Sequence, residues 1–71
     1  MPTCAKLIPK DLVKCIDSDE VSLSEILELF RDELQEDTAF IVIINGKPID
    51  NYNHRVSSSD EIIIALEFMG G

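Results

Sequence analysis

The sequence predicts one α+β domain in which a few strands pack on a single helix. Three observations carry that prediction. Ser22-Leu23-Ser24-Glu25 has the form of a helix capping box and is followed by apolar residues at three- and four-residue spacing. Two runs, Phe40 to Ile44 and Ile62 to Leu66, are apolar at every position, as strands covered on both faces are. Asn45-Gly46 closes the first of them and is the strongest hairpin-turn dipeptide in the chain. A chain of 71 residues has room for one domain, with a core that is only marginally sufficient.

Taken in order, Thr3 to Ile8 and Leu12 to Ile16 read as two short strands, with Pro9-Lys10-Asp11 supplying the turn chemistry between them. Ala5, Leu7, Val13 and Cys15 are expected to face inward, leaving Lys6 and Lys14 in water. The helix is expected over residues 23 to 36: Val21 and Ile26 occupy the staple positions, and Leu23, Ile26, Leu27, Phe30 and Leu34 form one apolar stripe. Glu25, Glu28, Asp32 and Glu36 fall on the opposite side, as a solvated face or as a surface for a basic partner. Residues 39 to 44 form a strand dense in β-branched residues, and Lys47-Pro48-Ile49 a brief edge strand. Residues 50 to 60 read as a polar surface loop anchored by Val56, and residues 61 to 68 as a last strand.

Composition narrows the function classes. The chain is 45% hydrophobic and 28% charged, too apolar for a disordered acidic tail. Fourteen acidic residues against six basic ones, a net charge of −8, disfavour nucleic acid and acidic partners. The longest apolar run, Ala39 to Ile44, is six residues, far short of the roughly 20 that a membrane helix needs. Met1 to Lys6 shows no secretory-signal pattern, so the cytoplasm is the expected compartment. There, Cys4 and Cys15 are expected as reduced, partly buried thiols, although a two-residue turn would set them opposite each other. Two cysteines and one histidine are too few soft ligands for zinc, and His54, in a polar loop, is expected at the surface. About 70 residues around one helix are also expected to leave no cleft of the usual 300–1,000 Å³ or so, which disfavours catalysis by the isolated chain.

Two features bear on function. A helix of about 14 residues, about 21 Å long, covers one face of a small sheet. If Phe40, Val42, Ile44, Ile62, Ile64 and Leu66 point at it, Ile41, Ile43, Ile63 and Ala65 remain as an uncovered apolar patch, the mark of a protein interface, unless a second copy or the 50–60 loop covers it. The sequence also runs off its last strand into Gly70-Gly71, a narrow tail without side chains that suits delivery of a carboxylate into another protein's active site. A carboxylate is a poor electrophile, so chemistry there requires activation by ATP in the partner enzyme.

Strand, strand, helix, strand, short strand, strand, then Gly-Gly, resembles the β-grasp, ubiquitin-like sulfur carriers of the ThiS and MoaD type. The specific part is Val42-Ile43-Ile44-Asn45-Gly46-Lys47-Pro48-Ile49 followed by Asp60-Glu61-Ile62-Ile63-Ile64 and the diglycine. Ser59 stands where the family usually has a turn glycine, and Glu67-Phe68-Met69 departs from the family's usual residues before the diglycine. The resemblance implies a mixed four- to five-stranded sheet packed on one helix, with residues 69 to 71 as a flexible tail. It implies a carrier with no catalytic centre and no bound cofactor. A partner of the ThiF or MoeB class adenylates Gly71 with ATP, a sulfur donor converts it to a thiocarboxylate, and the sulfur passes to a synthase subunit in thiamin or molybdopterin biosynthesis. Gly70 permits threading, Phe68 and Met69 help dock the tail, and Ile41, Ile43, Ile63 and Ala65 form the body of the interface. Two other readings stay open: a ubiquitin-like protein modifier using the same tail, and a non-catalytic binding module using only the sheet patch.

Overall fold

A computed structural model of the chain describes residues 1–67. Seven strands and one helix follow in the order β1 (Thr3–Ile8), β2 (Leu12–Ile16), β3 (Glu20–Ser22), α1 (Leu23–Leu29), β4 (Phe40–Ile44), β5 (Lys47–Ile49), β6 (Arg55–Ser57) and β7 (Ile62–Leu66). Five strands make one mixed sheet in the order β2-β1-β7-β4-β5, in which the central pair β1 and β7 is parallel and the other pairs are antiparallel. The fold is therefore α+β, with one helix on one face of that sheet.

The capping box forms as the residue types require. The Ser22 hydroxyl accepts from the Glu25 amide and the Glu25 carboxylate accepts from the Ser22 amide, each at 3.3 Å, while Val21 and Ile26 are both buried. The helix is shorter than its periodicity predicts, ending at Leu29 instead of residue 36. One cause is the Lys14 ammonium, which donates to the Leu29 carbonyl at 2.9 Å. The Glu33 amide, which would bond that carbonyl in a continuing helix, instead donates to Phe30 O. The other is charge: the last turn holds no basic residue to offset the negative end of the helix dipole, and Asp32 and Glu33 follow close behind it. Residues 30–34 continue as tight turns, and Phe30 still reaches the core.

The first hairpin corrects two expectations. Its register sets Cys4 opposite Cys15 and Ala5 opposite Lys14. Opposed residues of an antiparallel pair share a face, so a buried Ala5 carries Lys14 toward the helix and sends Val13 and Cys15 outward. Val13 is 55% exposed. Lys14 is accommodated because its stem crosses apolar surface while its ammonium meets Glu33 Oε1 at 3.1 Å and lies 5.4 Å from the centroid of the Phe30 ring. Cys4 and Cys15, expected as free thiols, are joined by a disulfide. In the chain-entropy picture, closing a loop of this span stabilises a fold by about 3 kcal/mol. The turn itself contains a cis Ile8-Pro9 bond and a positive φ at Asp11.

The 50–60 segment is more ordered than a surface loop. Its residues 55–57 form β6, which pairs with β3 in a second, two-stranded sheet, with Val21 opposite Val56 and both buried. Val56 is thus the anchor its position suggested. The core joins both sheets to the helix: Val21 and Val56 of the small sheet lie in one cluster with Ala5, Leu7, Val42, Ile44, Ile62 and Ile64 of the large sheet and with Leu23, Ile26 and Phe30. No helix among the described residues is long and apolar enough to cross a membrane.

Asn45-Gly46 forms the two-residue hairpin turn, with positive φ at both positions. Asn45 does more than turn the chain. Its amide nitrogen donates to Asp60 Oδ1 and its amide oxygen accepts from Glu61 N, both at 2.9 Å, tying the β4–β5 turn to the entry of β7. Asp60 Oδ2 accepts from Ser57 N at 2.8 Å and from the Ser57 hydroxyl. The Ser57–Asp60 turn closes through Asp60 N to Ser57 O, and Ser59 has no positive φ, so a glycine is not required there.

These bonds hold the Asp60 carboxyl below its ordinary value of 3.8: the Asn45 amide contributes most, then the Ser57 amide, against partial burial, which acts in the opposite direction. A depressed folded-state pKa adds stability that is present above the unfolded value and is lost as pH falls through the folded one. Asp60→Ala is expected to lower the urea-unfolding free energy by about 1 kcal/mol near neutral pH. The difference from the parent should shrink below pH 3.8. A difference that stayed constant across that window would show that the ionised carboxylate contributes nothing.

Candidate partner-binding face and the strand that leads to the tail

Strand alternation sends the residues between core positions to the far side of the sheet. Ile63 lies beside Lys6 on β1 and Ile43 on β4; Lys6 in turn lies beside Val13 on β2, and Ile43 beside Pro48 on β5. One row therefore crosses all five strands, with a single charged residue in it. A second row, Ile8, Ala65 and Ile41, runs alongside. Among the described residues no helix or loop covers this face. Ile41 is 41% exposed, Pro48 is exposed, and Ile43, Ile63 and Ala65 are half-buried.

The structure brings together all four residues that the sequence singled out on this face, Ile41, Ile43, Ile63 and Ala65. It adds Ile8, Val13 and Pro48. Alternation alone leaves the register of β2 open and so does not reveal Val13 on this face; the signal that places it outward is the Cys4–Cys15 opposition, which fixes the hairpin register. The disulfide lies on the same face, on the other side of Lys6 from Ile8. Lys6 is held by Asp11 at 3.4 Å. Glu61 and Glu67 flank β7 on either side of Ile63 and Ala65 and are exposed, so the face is acidic at both ends of its central strand.

Phe68, Met69, Gly70 and Gly71 lie outside the described residues. What is described is their root. β7 is the middle strand of the sheet, and the Glu67 amide donates to the Ala39 carbonyl at 2.9 Å, so the chain is held against the start of β4 up to its last described residue.

Two open grooves border this end of the sheet, contrary to the expectation that a domain of this size leaves none of such volume. One, of about 370 Å³, is lined by Lys10, Glu33, Asp37, Thr38, Ala39, Leu66 and Glu67. The other, of about 330 Å³, lies at the β4–β5 edge against Phe40, Ile41, Val42, Pro48, Ile49, Asp50 and Tyr52. His54 is exposed, and its role is in the backbone, where its carbonyl accepts from Leu23 N. Of the acidic residues on the outer side of the helix, Glu28 pairs with Arg31 at 3.0 Å. Glu25, Glu28, Asp32 and Glu36 are all exposed. Comparison of the chain with protein-family models, with curated proteins and with solved structures finds no match.

Proposed function

We propose that this chain is a β-grasp sulfur carrier of the ThiS/MoaD type, docked through its uncovered sheet face and charged at Gly71. The reading is supported above all by one juxtaposition: Ile63 and Ala65, at the centre of the uncovered apolar face, stand on the same strand that leads through Glu67 into Phe68-Met69-Gly70-Gly71. A partner seated on the face is therefore within reach of the tail. The strand order, with a parallel central pair and a helix on one face, is compatible with the β-grasp arrangement.

In this proposal the partner is an adenylating enzyme of the ThiF/MoeB class. The Gly71 carboxylate attacks the α-phosphorus of ATP, releasing pyrophosphate and leaving an acyl adenylate. Hydrosulfide then attacks the carbonyl carbon; the C–S bond forms, the C–O bond to AMP breaks, and a thiocarboxylate remains. A synthase subunit takes the sulfur next, in thiamin or molybdopterin biosynthesis. The carrier binds no cofactor of its own. Gly70 keeps the tail narrow for threading, and Phe68 and Met69 dock it. On this reading the carrier works in the cytoplasm, where ATP is supplied and the glutathione pool sets the state of the Cys4–Cys15 pair.

Incubation with an adenylating enzyme of this class from the same organism, ATP and sulfide is expected to exchange one oxygen for one sulfur in the intact mass, localised to the C-terminal peptide. Deletion of Gly71 should abolish the exchange; a deleted chain that still gained sulfur would refute the assignment. The uncovered face by itself also fits a binding module without tail chemistry. That reading requires replacement of Gly70-Gly71 to leave cellular function unharmed. A modifier would instead give high-mass conjugates of the tagged protein.

A further inference from the structure

We propose that the groove at the β4–β5 edge is a binding site for a guanidinium group, presented as an arginine side chain by a partner protein. One wall is an aromatic pair. Phe40 and Tyr52 stack on each other with centroids 6.3 Å apart and planes 17° from parallel, and Tyr52, 45% exposed, is the more accessible ring. Ile41, Val42, Pro48 and Ile49 complete an apolar lining, and Asp50 supplies its one charged group. Among the described residues Asp50 makes no ion pair, and neither ring carries a cation; the cation–ring contact of the protein is Lys14 over Phe30. A concave site with an exposed aromatic ring and a carboxylate that makes no ion pair is complementary to an organic cation. Guanidinium suits it better than ammonium, because a planar ion stacks along a ring while its donor fork meets a carboxylate. The net charge of −8 draws such a group toward this chain.

The groove is also held ready. The Tyr52 carbonyl accepts from Ser24 N at 2.9 Å and the His54 carbonyl from Leu23 N at 2.8 Å, pinning the loop to the first turn of α1. Within the loop, Asn51 Oδ1 accepts from Asn53 N and Asn51 O from His54 N, each at 3.0 Å. Tyr52 is thus presented beside Phe40 by a braced backbone, which lowers the ordering cost of binding.

The test is a titration of the full chain with N-acetyl-arginine methyl ester, followed by amide NMR, with the citrulline ester as a neutral analogue of similar shape. Saturable shifts confined to Phe40, Ile41, Ile49, Asp50 and Tyr52 are expected with the arginine ester and not with the citrulline ester. Asp50→Asn should weaken binding about fivefold, and Tyr52→Leu should weaken it comparably while circular dichroism stays unchanged. Glu36→Gln, which removes the same charge at an exposed position outside the groove, should leave the affinity within about twofold, since a screened distant charge contributes little. Equal responses to the two esters, shifts spread over the whole surface, or an equal loss in Glu36→Gln would each overturn the proposal. Gly71 chemistry is not involved in any of these readouts.

Discussion

Phe30→Ala is expected to leave most of the protein unfolded at room temperature. Phe30 is fully buried, lies one residue beyond the end of α1, and joins the helix to the sheet core. Deleting a buried ring costs about 3–5 kcal/mol, counting the lost transfer energy and the cavity left behind. A domain near 70 residues draws only about 3–5 kcal/mol from its core, so that loss is comparable with the whole stability. The same substitution removes the ring beneath the Lys14 ammonium, leaving the hairpin's one inward cation with Leu29 O and Glu33 alone. Urea titration by circular dichroism checks it: a cooperative transition with a free energy within about 1 kcal/mol of the parent would show that Phe30 is not the centre of the core.

The second expected result is a contrast between neighbours. Ile64→Asp should unfold the chain, because Ile64 is fully buried and an unpaired carboxylate there costs several kcal/mol. Ile63→Asp, one residue earlier on the same strand, should keep the fold at a cost of about 1 kcal/mol. It should also raise the KM of the chain in ATP–pyrophosphate exchange with the proposed adenylating partner by about thirtyfold, the effect of a charge in the apolar centre of an interface. Unfolding of Ile63→Asp would mean that the faces of β7 are reversed. An unchanged KM in a folded variant would remove the face from the docking proposal while leaving its geometry intact.

Much of this architecture is legible in the residues themselves. Local chemistry announces local structure: the Ser22 and Glu25 capping box, the Asn45-Gly46 turn and the bounds of β1 and β2 appear where the sequence places them. The four patch residues were also readable, because two wholly apolar strands and one helix leave a face over by simple counting. What escaped depended on partners distant in sequence. Lys14 reads as a surface residue until Ala5 stands opposite it and Glu33 is within 3.1 Å. The shortened helix depends on that same lysine, which takes the Leu29 carbonyl from across 15 positions. β3 and β6 are three residues each, too short to show alternation, and exist because Val21 and Val56 meet.

The order of the six elements β1, β2, α1, β4, β5 and β7, together with the helix start, the main hairpin turn and the leftover apolar face, follows from the sequence by itself, since each is set by neighbours within a few positions or by the number of apolar faces to be covered. Only the tertiary structure decided the inward lysine, the disulfide in place of two thiols, the early helix end and the aromatic groove beside Asp50. The physical reason is common to all four. Each requires two separate segments to meet in one register, and a one-residue slip, invisible in composition or periodicity, would turn the same side chains to the opposite face.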